Sequence, residues 1–165
     1  MINRKNTFMV SACLLGICCR YDGRHTLCPD LINFARNQDF IPFCPEQLGG
    51  LPTPRPPSVI QGGDGRNLLE GRGTVVDDRG NDVSEAFKKG AQESLKLAEM
   101  AKARVAIMKD RSPSCGLLTP YCDTPSGTGI GVTAALFESN GIKLIELGAD
   151  YPFPTKEFLE LDKEE

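Results

Sequence analysis

Short apolar runs alternate with longer amphipathic stretches along this chain. Thr7-Phe8-Met9-Val10-Ser11-Ala12 is mostly apolar and predicts a buried first strand. Pro29 to Asn37 predicts a short helix, with Leu31, Ile32 and Ala35 on one face and Pro29 near the first turn. Phe40 to Phe43 predicts a second strand, and the Cys44-Pro45 pair after it is expected to end regular structure. Gly49 to Gly65 reads as a long irregular segment that prolines stiffen into a shaped wall. Gly73 to Val76 is a short β-rich run, followed by a turn over 77–81. Asp82 then suits a helix N-cap, with Glu85 as its capping-box partner. The helix from Val83 to Lys102 carries the clearest stripe: Phe87, Ala91, Leu95 and Ala98. Arg104 to Met108 predicts a third strand, Gly131 to Ser139 a helix ended by Asn140-Gly141, and Ile142 to Leu147 a last strand. Lys156 to Leu161 reads as a loosely packed helix in an acidic tail.

Strands alternating with helices predict an α/β fold: one Rossmann-like domain over 1–165 whose largely parallel sheet is flanked by helices. In such a sheet the C-terminal strand ends lie along one edge, where ligands bind.

Composition narrows the function. Hydrophobic content of 40% and charged content of 25% are those of a globular protein. Net charge is −3 without any Lys/Arg run, so the electrostatic footprint of a nucleic-acid binder is missing, while a nucleotide or base stays open as a substrate. No apolar run approaches the ~18 residues a membrane span needs. Met1 to Thr7 is polar, unlike a signal peptide, and a cytoplasmic protein is expected. Seven cysteines in a reducing compartment point to metal or catalysis more than to disulfides. His25 is the single histidine, so no His-rich zinc site exists.

Three of those cysteines follow predicted strands. Cys13 comes after the first, Cys44 after the second and Cys115 after the third, each near a residue that shapes backbone: Gly16, Pro45 and Gly116. A parallel sheet would bring them together, with the carboxylate of Glu46 two residues past Cys44. Three thiolates without histidine suit a Cys-ligated iron–sulfur cluster, or zinc with a further O or S ligand. On a four-iron cube they leave one iron open, a Lewis acid for a soft atom such as sulfur. Against this stands the ordinary role of buried cysteine as a small hydrophobe. Cys18 and Cys19 are adjacent, so at most one faces a site. Cys28 reads as structural, and Cys122 as a loop thiol that could close the cluster as a fourth ligand.

Several blocks are distinctive: Ser-Ala-Cys-Leu-Leu-Gly (11–16), Cys-Arg-Tyr-Asp-Gly (19–23), Cys-Pro-Glu-Gln-Leu-Gly-Gly-Leu-Pro-Thr-Pro-Arg-Pro-Pro (44–57), Gly-Gly-Asp-Gly (62–65), Arg-Ser-Pro-Ser-Cys-Gly (111–116) and Gly-Val-Thr-Ala-Ala-Leu (131–136). Together they resemble the thiouracil desulfidase family over about Phe8 to Glu146, leaving 147–165 as a C-terminal tail. The resemblance implies a [4Fe–4S] cluster held by Cys13, Cys44 and Cys115. It also implies Glu46 as acid/base, and Ser112 or Ser114 assisting. The implied reaction removes sulfur from a thiouracil-type base or nucleoside by hydrolysis, giving uracil and hydrogen sulfide without redox change. Arg20, Asp22 and Asp64 are candidate substrate contacts, although Asp64 among glycines also reads as a turn residue. The expected partner is this small molecule, with neither membrane nor large nucleic acid. Gln47 departs from the apolar residue expected after Cys-Pro-Glu.

Two other classes remain open at this level. Cys44 or Cys115 could act as a nucleophile with Glu46 as base in a metal-free hydrolase or transferase. A non-catalytic metal-binding module would need Glu46 for nothing.

Overall fold

The computed structural model describes residues 6–161. Residues 1–5 of the polar start and 162–165 of the acidic end lie outside it. The elements run β1 (Phe8–Ser11), α1 (Pro29–Ala35), β2 (Phe40–Phe43), α2 (Pro45–Leu48), β3 (Ser58–Gln61), α3 (Gly65–Leu69), β4 (Thr74–Asp77), α4 (Ser84–Ala101), β5 (Val105–Lys109), α5 (Val132–Ser139), β6 (Lys143–Leu147) and α6 (Lys156–Leu161), with a 3₁₀ turn over Ala12–Leu15 after β1.

The main sheet has four strands in the order β2-β1-β5-β6, all parallel. Pro42 breaks no ladder because β2 lies at the edge. Alternate residues of β1 serve opposite layers. Phe8 and Val10 pack on one face with α1 and the C-terminal segment, and Met9 packs on the other with residues of α4 and α5. The chain moves outward from β1 to β2 on one side, and β5 and β6 lie on the other. The crevice between the β1 and β5 C-terminal ends is therefore the switch point at which open α/β sheets bind ligands. Among the described residues no helix is long and apolar enough to cross a membrane.

Some expectations need correction. The Cys-Pro pair ends β2 but does not end regular structure: Pro45 occupies the first turn of α2, where its missing N–H costs nothing. The stretch 49–65 is not irregular throughout. It contains β3, paired antiparallel with β4, and the start of α3. In β3 only Ser58 and Ile60 are buried, and the flanking prolines and glycines hide that two-residue alternation. Asp82 is not the N-cap of α4; that position is Val83, and the Asp82 carboxylate accepts from the Ser84 N–H at 2.9 Å. The tail is not loosely packed either. Phe153 and Phe158 are buried in a four-ring cluster with Phe8 and Phe34, at centroid distances of 5.1–5.7 Å.

The short helix α2 is seated by two glycines. A Cβ on Gly90 of α4 would lie 1.9 Å from the Pro45 carbonyl oxygen, and one on Gly49 would lie 2.0 Å from that of Ala86. Bare backbone on both sides lets α2 touch α4 directly, which fixes the direction of Cys44 and Glu46.

Candidate active site

Cys13, Cys44 and Cys115 come together. All three line a cavity of about 560 Å³ at the C-terminal edge of the sheet, a size typical of small-molecule sites. Cys13 is carried by the 3₁₀ turn after β1. Cys44 is the residue between β2 and α2. Cys115 sits six residues past the end of β5, in a turn gripped by the start of α5: the Thr133 and Ala134 N–H groups both donate to the Ser114 carbonyl, and Gly131 N–H donates to that of Gly116. Ser112 Oγ accepts from the backbone N–H of Ser114 and of Cys115, at 3.1 and 3.0 Å, and so closes the turn from within.

Glu46 faces the same cavity. Its Oε1 accepts from Arg55 Nε at 3.0 Å, and its Oε2 accepts from Ser114 Oγ at 3.3 Å. Of the two candidate serines, Ser114 therefore touches the carboxylate, while Ser112 shapes the Cys115 turn. Arg55 is itself enclosed, its side chain only 3% exposed. It also donates to the Pro52 carbonyl, Thr53 Oγ1 and the Cys19 carbonyl, and its Nη2 lies 4.0 Å from Cys44 Sγ. From the sequence, Arg55 reads with Arg20 and Arg111 as an ion-pair partner, one of the three being open to a substrate contact. Its setting in Thr-Pro-Arg-Pro-Pro, a cation inside a stiffened wall, was the available signal.

Arg20 lines the cavity, held by a hydrogen bond from Nη1 to Thr26 Oγ1 at 2.8 Å and by an ion pair with Asp22 at 3.4 Å. Asp22 thus stands behind Arg20. Asp64 lies elsewhere. It caps α3, accepting from Arg66 N–H at 2.9 Å and from Ile130 N–H at 3.3 Å, and is outside the cavity lining. His25 accepts the Leu27 N–H and is exposed, outside the cavity lining. Cys122 donates to the Thr119 carbonyl and is likewise outside the lining.

The surprise is Cys19. It is 2% exposed, lines the same cavity, and packs in the buried cluster that holds Cys13, with Cys44 against it, while Cys18 is exposed. Adjacency correctly limits the pair to one inward thiol; which one depends on the loop.

These thiols are not activated nucleophiles. Burial, opposed by hydrogen bonds from Ser11 and Ser112, pushes the Cys115 thiol up to about 12. The hydrogen bond with Cys13 leads in raising Cys19 to about 11. Cys44 is raised too, by its hydrogen bond with Cys19 and then by burial. Reactive cysteines have depressed pKa values, whereas a coordinated thiol is deprotonated outright by its metal. Among the described residues no three His, Cys, Asp or Glu side chains converge as they would on one ion. Three thiols at one cavity with no histidine in its lining are a donor set that fits a Cys-ligated iron–sulfur cluster.

A parallel α/β sheet whose strand ends present several thiols beside a buried-arginine–carboxylate pair defines a cysteine-lined enzyme-like site. The comparisons with known proteins specify the class further. The profile of the 2-thiouracil desulfurase family matches residues 8–147, and the chain belongs to that family. A solved structure of TudS, a [4Fe–4S]-dependent thiouracil desulfidase, is similar at a TM-score of 0.76 and 33% identity, with 97% of this chain and 99% of that one covered. YbbK of Bacillus subtilis strain 168, an uncharacterized protein, is 41% identical over 140 residues, which is 83% of this chain and 93% of its own.

Proposed function

We propose that this chain is a [4Fe–4S]-dependent thiouracil desulfidase, converting a thiolated pyrimidine and water into the oxygenated base and hydrogen sulfide. The observation that carries the reading is the convergence of Cys13, Cys44 and Cys115, from three separate strand ends, on one cavity that also holds Glu46. Those three cysteines would hold the cluster, which when bound supplies an iron without a protein ligand, a Lewis acid for thiocarbonyl sulfur.

The remaining roles belong to the chain. Arg55 pairs with Glu46 and holds it aimed, so it can serve as a general base. Glu46 takes a proton from the attacking water as the new C–O bond forms, and returns it as the C–S bond breaks. Ser114 Oγ steadies the carboxylate and can pass the proton. No electrons are gained or lost, so no redox partner is required. Arg20 lines the cavity, backed by Asp22 and stacked over Tyr21 at 5.8 Å, which supports a role in meeting the polar edge of the base. Asp64 supports this site only indirectly, by holding the start of α3 to the Ile130 backbone. Seven free thiols suit a reducing cytoplasm. The raised Cys44 and Cys115 thiols argue against the metal-free nucleophile, and the Arg55–Glu46–Ser114 chain argues against a module without catalysis.

The test is to load the protein with iron and sulfide without oxygen, add 2-thiouracil, and assay uracil and sulfide together. Equal yields of both, only from loaded protein, are expected. Equal turnover by iron-free protein would overturn the reading.

A further inference from the structure

The buried thiol that the proposed chemistry does not use is Cys19. Its backbone is fixed: its N–H donates to the Ile17 carbonyl at 2.8 Å, and its own carbonyl accepts from buried Arg55 at 2.9 Å and from Cys44 Sγ at 3.7 Å. It packs in the same buried cluster as Cys13, and Cys44 packs against that cluster. The third expected ligand, Cys115, belongs to the other core cluster, and its backbone N–H is held by Ser112 Oγ.

We propose that Cys19 is a fourth sulfur of the metal cradle, able to replace Cys13 or Cys44 as an iron ligand when either corner is vacated, and unable to replace Cys115. The inference rests on the cluster reading above and adds an asymmetry to it. A reserve thiol beside two corners keeps iron bound while one ligand is protonated or displaced. It does so without occupying the open coordination position in the intact site. The Arg55 guanidinium binds the Cys19 carbonyl and the Glu46 carboxylate together, so reserve ligand and base share one anchor.

The experiment measures iron and sulfide per chain, not turnover. Wild type, Cys13→Ala, Cys44→Ala and Cys115→Ala are prepared, each with and without Cys19→Ser, loaded anaerobically with ferrous iron and sulfide, then desalted. Cys13→Ala and Cys44→Ala should keep most of the wild-type iron while Cys19 is present, and lose about tenfold or more when it is changed to serine. Cys115→Ala should be iron-poor in either background. Circular dichroism of each sample, and the serine versions of the same variants, separate lost ligation from lost folding. Folded Cys13→Ala and Cys44→Ala chains as empty as Cys115→Ala overturn the proposal. A wild type that takes up no iron defeats the desulfidase reading itself.

Discussion

Arg55 Nε lies 3.0 Å from Glu46 Oε1, and the guanidinium is almost wholly enclosed. A buried arginine left without its carboxylate, or a carboxylate without its arginine, is costly because neither charge can return to water. Arg55→Met should therefore destabilise the protein by on the order of 3 kcal/mol in denaturant melts. Arg55→Lys should recover part of this, since one ammonium cannot also reach Pro52, Thr53 and Cys19. A loss below about 1 kcal/mol for Arg55→Met would mean that the pair behaves as a surface ion pair.

Variants of Glu46 and Ser114 should separate chemistry from cluster binding. Glu46→Gln should leave iron content unchanged and lower turnover by about 10²–10⁴-fold, the weight of a general base. Ser114→Ala should cost about tenfold, that of one hydrogen bond to a charged group. Single-turnover sulfide release at saturating thiouracil distinguishes these outcomes from weakened binding. Full rate in Glu46→Gln would remove Glu46 from the mechanism.

How much of this was written in the chain differs by region. β1, β2, β5 and β6 are apolar runs, and the strand-end position of Cys13, Cys44 and Cys115 follows from them together with a parallel sheet. The stripe of Phe87, Ala91, Leu95 and Ala98 marks α4; Phe87, Ala91 and Ala98 are buried, and Leu95 is partly buried against the core. β3 was hidden because four residues of alternating burial carry little periodic signal between Pro57 and Gly62. Arg55 and Cys19 were hidden for another reason. Each is placed by loop backbone: the Arg55 N–H donates to the Tyr21 carbonyl, and the Arg55 side chain to the Cys19 carbonyl. Such long-range loop docking has no sequence period.

The contact of α2 with α4 predicts that Gly90 positions the site. Gly90→Ala should cost about 2 kcal/mol, as overpacking does, and should weaken iron retention because Cys44 and Glu46 shift with α2. Lys96→Ala, on the exposed face of the same helix, should stay within about 0.5 kcal/mol. Thermal melts and iron assays on the pair check this. Wild-type iron retention in a destabilised Gly90→Ala would separate α2 placement from ligation.

The raised thiols give the metal-free protein an alkaline limit. Cys19, Cys44 and Cys115 are neutral in the fold but ionise near the ordinary value of 9.0 once unfolded. Their contribution to stability is complete below pH 9.0 and is lost as pH rises toward about 11 and 12. Melting temperature of the cluster-free protein should fall above pH 9, less steeply in Cys115→Ala. Iron uptake runs the other way, improving with pH because ligation releases protons. A cluster-free protein whose melting point is flat to pH 11 would contradict the buried-thiol account.

The central claim is that the cysteine-lined cavity holds a [4Fe–4S] cluster and that Cys115 is indispensable to it. The direct measurement is iron and acid-labile sulfide per chain, with the visible spectrum, on protein purified without oxygen. The account predicts about four of each per chain and a brown wild type, with Cys115→Ala colourless and folded. An iron-free wild type that still releases sulfide from thiouracil, or a Cys115→Ala with a full complement of iron, would contradict it.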